Sequence, residues 1–290
     1  MSDYLSCKQA AQTLGVSGST IKRMCDDGVV PSMRTPGGHR RIPRTAIDSW
    51  LISNDLPRID PPPRRDVPQS CDAAALVTML RQGHIESISD RLCDALHQSD
   101  EFATTLDTVV APAMWEIGER WSTGEFEVYE EHLCTANLRT SLLQASSHLT
   151  KLRSADVLES RPRAIGCSVD GESHDLVSLM IELVMRSSGV DAKSLGGSVP
   201  VESLIAAILA EHADLVWTSY TRIEDPEEML RQHHVLVNAL PDHCRLLIGG
   251  QALTASLRRQ MTFDFHGDSL LHLQRYVSSV MQRAFATTAG

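Results

Sequence analysis

The feature that most constrains the fold is an alternation of short apolar runs with helical segments after residue 162. Candidate strands cover residues 164–169, 191–195, 215–219, 246–248 and 263–265. Apolar residues at helical spacing fill the intervals, over residues 174–188, 201–211, 226–239, 252–260 and 270–285. Strands separated by helices of this length predict a parallel, doubly wound, Rossmann-like α/β sheet over residues 162–290. Ligands of such sheets bind beyond the carboxyl ends of the strands.

Two further units precede this sheet in the 290-residue chain. Residues 71–152 are predicted to form a four-helix bundle, because apolar residues recur at helical spacing over 71–83, 85–98, 101–121 and 126–149. Residues 1–52 have the pattern of a small unit of short helices and a turn. The intervening residues 53–70 contain five prolines and no periodic apolar face, which is typical of a semi-rigid linker.

Charge is unevenly distributed along the chain. Residues 1–66 carry ten Lys and Arg against seven Asp and Glu, whereas the whole chain has a net charge of −10. A mildly basic head on an acidic body indicates that only the head contacts a polyanion.

The sequence indicates a cytoplasmic protein without a membrane partner. No apolar run approaches the roughly 20 residues that span a bilayer, and the amino terminus lacks the layout of a secretory signal. The seven cysteines occur singly, without a C-x-x-C pair, which argues against a zinc ribbon or a disulfide framework.

The head has the pattern of a helix-turn-helix. Ser6 and Gln9 fit a capping box that opens a helix through Leu14. A second helix over residues 19–27 would expose side chains suited to phosphates and base edges. The candidate DNA-binding residues on it are Ser19, Thr20, Lys22 and Arg23.

A basic hairpin is predicted after these two helices. Gly37-Gly38 permits a tight turn, which would place a set of basic side chains beside the phosphate backbone. This set comprises Arg34, His39, Arg40 and Arg41. The stretch RTPGGHRR resembles the wing of MerR-type and excisionase-type winged helix-turn-helix proteins, and the resemblance implies binding to double-stranded operator DNA. The alternative is a surface helical hairpin with a charged loop.

A histidine follows the first strand of the predicted sheet. His174 lies where this fold binds ligands, and Glu172 could accept a proton from its imidazole, which would leave a good cobalt ligand. The sequence Glu172-Ser173-His174 resembles the first motif of the cobalamin-binding domain of methionine synthases, mutases and certain regulators. In that family the histidine binds cobalt from below. The alternative is a histidine that only satisfies hydrogen bonds at a helix start.

The rest of the cobalamin motif follows the third and fourth strands. Ser219-Tyr220-Thr221 and Gly249-Gly250 resemble the remaining motifs of that family, in which the serine contacts the nucleotide tail of the cofactor and the glycines leave room for it. One position departs from the motif, because Val177 replaces its glycine. A β-branched side chain there occupies space that the tail would use. An empty, degenerate domain is therefore an open alternative.

The helical region carries a third pattern. Trp121 is followed after nine residues by Glu131-His132. This arrangement resembles the upper bundle of the CarH/LitR-type photoreceptor regulators. The resemblance implies that Trp121 and Glu131 surround the adenosyl group, and that His132 can bind cobalt from above once light has broken the cobalt–carbon bond. The alternatives are a core tryptophan and a solvent-facing Glu-His pair.

The family resemblance covers nearly the whole chain and implies a repressor-like regulator. It would bind adenosylcobalamin, assemble in the dark as a dimer or tetramer, and release DNA in light. A cofactor-free regulator that uses the sheet for dimerisation, a non-photic cobalamin sensor and a corrinoid methyltransferase subunit remain alternatives. An enzyme is not predicted, because the sequence lacks the phosphate-binding, dinucleotide-binding and zinc-protease motifs.

Overall fold

The structure of the chain is a computed structural model. It describes residues 4–14, 18–34, 40–53, 73–97, 101–152, 161–169 and 175–288. Most of the predicted linker lies outside these ranges. Within them, no helix is both long and apolar enough to cross a membrane.

The described residues of the head form three short strands and three helices. In chain order these are β1 (Tyr4–Ser6), α1 (Cys7–Leu14), α2 (Gly18–Asp26), β2 (Met33–Arg34), β3 (Arg40–Pro43) and α3 (Arg44–Ser53). The predicted capping box is present, since the Ser6 amide donates to Gln9 Oε1 at 2.9 Å and the Gln9 amide to Ser6 Oγ at 3.2 Å. The strands form an antiparallel sheet in the order β1-β3-β2. Leu14, Ile21 and Ile47 are fully buried between the helices and this sheet.

The helical domain follows, with helices close to the predicted positions. These helices are α4 (Ala73–Gln82), α5 (Ile85–Leu96), α6 (Glu101–Thr105), α7 (Ala111–Ser122) and α8 (Val128–Leu152). The predicted single helix over residues 101–121 contains a π-helical turn at Leu106–Val110 between α6 and α7. The last helix starts at Val128 rather than at residue 126, because residues 123–127 form a turn in which Gly124 has a φ of +77°.

The carboxyl-terminal domain confirms the predicted parallel, doubly wound sheet. Its elements are β4 (Arg163–Ser168), α9 (Leu176–Ser187), β5 (Asp191–Ser194), α10 (Val201–Glu211), β6 (Leu215–Ser219), α11 (Pro226–Ala239), β7 (Arg245–Gly249), α12 (Ala255–Arg258), β8 (Phe265–Gly267) and α13 (Leu270–Thr288). The strand order is β5-β4-β6-β7-β8, and every neighbouring pair is parallel.

Two predicted elements of the carboxyl-terminal domain differ clearly from the structure. The helix expected over residues 252–260 is reduced to the single turn of α12. The edge strand expected over residues 263–265 starts at Phe265. Phe263 also packs against the core, so apolar pattern alone did not distinguish which phenylalanine begins the strand.

The sheet buries a different core on each face. One face packs with α9, α13 and the helical domain into a single hydrophobic cluster that includes Trp217 and Leu247. The other face packs with α10 and α11. Trp217 on β6 lies so close to β4 that a Cβ at Gly166 would approach its ring to 2.2 Å. Gly166 is therefore required for this packing.

A buried carboxylate joins the helical domain to α13. Asp107 lies in the π-helical turn, and its two oxygens accept the backbone N–H groups of Leu270 and Leu271, both at 2.9 Å. These amides belong to the first turn of α13, whose free N–H groups favour an acceptor. Burial nevertheless raises the pKa of Asp107 from its ordinary 3.8 to about 7, because a charged carboxylate loses its hydration there.

We expect Asp107→Asn to lower the free energy of unfolding by roughly 1–3 kcal/mol, since the amide leaves one of the two buried N–H groups without an acceptor. The exposed Asp90 on α5 provides a matched control, Asp90→Asn. Because the folded-state pKa of Asp107 is raised, ionisation destabilises the fold. The stability difference between the wild type and Asp107→Asn should therefore be greatest below about pH 4 and decrease as the pH rises through about 7. Urea denaturation at several pH values measures this, and a pH-independent difference would contradict it.

Candidate functional site

The three predicted cobalamin motifs follow three neighbouring strands. Ser168 at the end of β4 is the register partner of Ser219 at the end of β6, and Ser219 is in turn the partner of Gly249 at the end of β7. The loop after β4, the loop after β6 and the glycine pair after β7 therefore start at the same level of the same sheet edge. This is the edge at which doubly wound sheets bind ligands.

Two hydroxyl groups at this edge are buried without a hydrogen-bond partner among the described residues. They are Ser219 Oγ and Thr221 Oγ1. Ser219 is fully buried, and strand alternation places it on the same face of β6 as Trp217, toward α9 and the helical domain. Buried hydroxyls are normally paired. These two therefore suit a ligand that supplies polar groups, as the cobalamin tail would.

The glycine pair has an explanation within the sheet itself. A Cβ at Gly250 would approach the carbonyl oxygen of Tyr220 to 2.2 Å, and the φ of Gly250 is +114°. A Cβ at Gly249 would lie 3.1 Å from the carbonyl oxygen of Gly267. Both glycines are therefore needed for the close approach of neighbouring backbone, whatever contact they also make with a cofactor.

The predicted cobalt ligand lies outside the described residues, together with Glu172. The described residues on either side of this segment each have a contact. Val169 forms a parallel bridge with Val199, and Asp175 forms an ion pair with Arg139 of α8. The residue that follows His174 is thus tied to the helical domain.

That ion pair defines which face of α8 points toward the loop. Val128, His132 and Thr135 precede Arg139 by eleven, seven and four residues, which are spacings of one helix face. The predicted upper ligand therefore lies on the helix face that contacts the loop of the predicted lower ligand. His132 itself is largely exposed, and its Nε2 lies 3.5 Å from Glu131 Oε2.

The other two residues of the upper pattern differ in their environment. Glu131 is partly buried and accepts a hydrogen bond from Thr135 Oγ1 at 3.0 Å. Trp121 lies on the last turn of α7 with 51% of its surface exposed, so the alternative of a core tryptophan is wrong. A half-exposed indole at a helix end is suited to cover a ligand.

Val177, which replaces the motif glycine, lies in the first turn of α9. It is partly buried and packs against the hydrophobic cluster that the sheet shares with the helical domain. Its side chain thus contributes to the core.

The predicted DNA-binding residues of α2 are divided. Lys22 is exposed. Ser19 and Thr20 lie in the first turn of α2, and the structure describes their backbone only. Arg23 instead contacts the carboxyl-terminal domain. Its guanidinium donates to the carbonyl oxygen of Gln251 at 3.2 Å and lies 3.8 Å from Asp268.

The basic hairpin is formed by β2 and β3, with Arg34 opposite Arg40. Arg41 is exposed, whereas Arg34 and Arg40 both form ion pairs with Asp26 at the end of α2. Arg40 thereby ties the hairpin to α2. The turn of the hairpin and His39 lie outside the described residues.

Sequence reasoning missed the polar contacts that position these elements. Arg139 and Asp175 connect α8 to the His174 loop. Arg186 of α9 donates to Ser146 Oγ and Thr150 Oγ1 of α8, both at 2.6 Å. Each residue alone has the pattern of an ordinary surface position. For the contact between the helical domain and α13, the sequence offers one signal, because Asp107 is an acidic residue within an apolar run.

Comparison with known proteins agrees with this architecture. Residues 4–55 match the family model described as a helix-turn-helix domain, and residues 73–144 match the model described as a B12 binding domain. The matches and the fold agree that the chain carries a helix-turn-helix domain followed by a B12-binding domain.

Two curated relatives, both named as transcriptional repressors, are similar to this chain. The chain is 30% identical over 171 residues to the HTH-type transcriptional repressor CarH of Myxococcus xanthus. The aligned residues are 59% of this chain and 54% of the relative. It is 23% identical over 197 residues to the HTH-type transcriptional repressor CarA of the same organism, and these residues are 65% of this chain and 62% of that relative. The chain therefore spans less than two thirds of either relative. Both are named as repressors, in agreement with the prediction of a regulator rather than an enzyme.

A solved structure supports the fold alone. The monomethylamine corrinoid protein of Methanosarcina barkeri superposes with a TM-score of 0.55 at 14% identity, over 71% of this chain and 96% of that chain.

We predict that Ser219→Ala raises the free energy of unfolding of the cobalamin-free protein by roughly 1 kcal/mol, because it removes a buried hydroxyl without a partner. Ser178→Ala is the matched control. Ser178 Oγ is also buried but accepts Trp217 Nε1 at 3.0 Å, so its loss should be destabilising by roughly 1–3 kcal/mol. Chemical denaturation compares the two variants. A destabilising Ser219→Ala would show that this hydroxyl already has a partner in the free protein.

Proposed function

We propose that the chain is a light-responsive, DNA-binding repressor that binds adenosylcobalamin between its helical domain and its α/β domain. The observation that carries this proposal is the orientation of α8. The helix face with His132 is the face whose Arg139 contacts Asp175, next to His174. Candidate cobalt ligands thus belong to two elements that are tied together.

The spacing along α8 leaves room for a ligand beside this face of the helix. His132 precedes Arg139 by seven residues, which is about 10 Å along a helix. Asp175, the residue after His174, contacts α8 at Arg139, about two turns from His132. The orphaned hydroxyls of Ser219 and Thr221 fit the tail of the same cofactor.

When bound, adenosylcobalamin supplies a bond to its upper ligand that light can break. The residues of this chain would hold the cofactor and respond to that event. His174 would hold the cobalt through a ring nitrogen, with Glu172 accepting its other ring proton. Trp121 and Glu131 would line the adenosyl group, and His132 would supply a second ring nitrogen able to hold the cobalt in the illuminated state. Contacts that differ between the two states shift the equilibrium between them.

The head supplies the DNA-binding function in this proposal. Lys22 on α2 and Arg41 on the hairpin are exposed cations suited to phosphates. We propose that the β2–β3 hairpin acts as a wing. A single small head reads too few base pairs for high specificity, so we propose that the chain acts as a homodimer or homotetramer.

A cofactor-free regulator is the second candidate, and Val177 favours it. In that case the sheet would serve only in association between copies of the chain. The hydroxyl groups at the strand ends would form hydrogen bonds with water or with the loop after β4. A corrinoid methyltransferase subunit is not favoured, because the helix-turn-helix head has no role there.

We expect His174→Ala to lose most of its bound cobalamin when the protein is purified in the dark with adenosylcobalamin. His132→Ala is the matched histidine control, and it should bind normally in the dark but give a different absorption spectrum after illumination. Gel filtration with absorbance detection measures both. A wild-type protein that stays colourless would support the cofactor-free regulator, and an illuminated His132→Ala spectrum identical to wild type would exclude His132 as the upper ligand.

Arg41→Ala should weaken binding to duplex DNA and reduce the slope of log affinity against log salt by about 1, since one phosphate contact is lost. Arg231→Ala on α11 removes an exposed arginine of the α/β domain and serves as control. Fluorescence anisotropy over a salt series measures the slope. Equal slopes for the two variants would remove Arg41 from the DNA contact.

A further inference from the structure

The head is docked on the α/β domain through its DNA-reading elements. Arg23 of α2 reaches the segment after β7 at Gln251 and the segment after β8 at Asp268. His272 of α13 bonds through Nε2 to the carbonyl oxygen of Leu14, at the end of α1. Its ring also packs on Trp50 of α3, with centroids 5.1 Å apart. Three helices of the head therefore contact one continuous surface, which we call the docking surface: Gln251, Asp268 and His272.

The docking surface is chemically matched to the head. The Asp268 side chain is only 4% exposed, and burial raises its pKa, so a carboxylate held there requires a cation. Arg23 provides it. His272 is fully buried, and its Nε2–H can pair with the Leu14 carbonyl, one of the free acceptors at the end of α1. His266 Nδ1 of the α/β domain lies equally close to Asp268, at 3.8 Å. Undocking would therefore remove one of two nearby cations from Asp268 and the acceptor of His272 Nε2–H.

Docking and DNA binding require the same guanidinium. Arg23 lies on α2, the second helix of the helix-turn-helix, which in the proposed function reads DNA. The hydrogen bond to Gln251 and the ion pair to Asp268 use donors that a phosphate or a base edge would need. The surface around Arg23 is also covered by a body of net negative charge, which repels DNA.

We propose that the docking surface is an autoinhibitory site for the head, which competes with DNA for α2. This inference rests on the proposed function of the head. The surface adjoins the candidate corrinoid site, because the Gln251 side chain donates to the Thr221 carbonyl at 3.4 Å and follows Gly250 directly. Gln251 thus contacts both Arg23 and the backbone of Thr221. A ligand at Ser219 and Thr221 would therefore lie next to the residue that holds Arg23.

The test uses the full chain without cobalamin and a labelled DNA duplex of mixed sequence at low salt. Asp268→Asn removes the ion pair to Arg23 without changing the head. The apparent affinity for DNA is proportional to the fraction of heads that are undocked. Because Asp268→Asn increases that fraction, the variant should bind the duplex about two- to ten-fold more tightly than wild type. Asp242→Asn removes the same charge from an exposed turn before β7, at the opposite end of the sheet, and should bind as wild type does.

A second measurement needs no variant. Hydrogen exchange of the wild type should show faster exchange over residues 250–253 and 268–272 when DNA is added. Equal affinities for Asp268→Asn and Asp242→Asn, or exchange in these segments that DNA leaves unchanged, would overturn the competition while leaving DNA binding intact. If Asp268→Asn does not fold, the exchange result decides alone. Absence of salt-dependent duplex binding by every protein, including wild type, would instead refute the proposed function, and the competition with it.

Discussion

The packing of one face of the sheet against the helical domain is the interaction on which the rest of the structure depends. Trp217 reaches across to β4 because Gly166 has no side chain, and its indole donates to Ser178 on α9. The cluster around it continues without interruption into α4–α8 and α13. Asp107 adds a directional contact, since it accepts amides that only the first turn of α13 presents. Hydrophobic burial alone would allow the two domains to slide, whereas this pair of hydrogen bonds defines their register.

This fixed junction explains why polar groups at the strand ends can be functional. A sheet edge buried under a helical domain excludes water, so an unpaired hydroxyl there is unfavourable for the free protein. Ser219 and Thr221 lie at that position, and unlike the buried Ser178 and Asp107 they have no partner among the described residues. Stability alone would favour alanine and valine at these sites. A ligand with polar groups would satisfy both hydroxyls, and the same junction ties α8, the helix of His132, to Asp175 next to the expected lower ligand.

The sequence was sufficient for features that depend on local periodicity. Strand–helix alternation predicts the parallel sheet, and in such a sheet three short motifs after three strands must meet at one edge, as Ser168, Ser219 and Gly249 do. Contacts between distant segments leave no comparable pattern. Nothing local pairs Arg139 with Asp175 or Arg23 with Asp268. The edge strand β8 and the π-helical turn were also missed in detail, because three residues are too few to define a period and an inserted residue leaves the apolar pattern nearly unchanged.

The proposed function requires that the state of a ligand be transmitted to a head that lies elsewhere in the chain. A ligand shifts an equilibrium only when it interacts differently with the two states, and a flexible connection alone supplies no such difference. The contact between α2 and the segment after β7 supplies one, because Gln251 takes part in both the docking of Arg23 and the backbone around Thr221. Occupation of the strand ends and release of the head are then linked thermodynamically, so DNA that captures the head must change the affinity of the site for its ligand by the same factor.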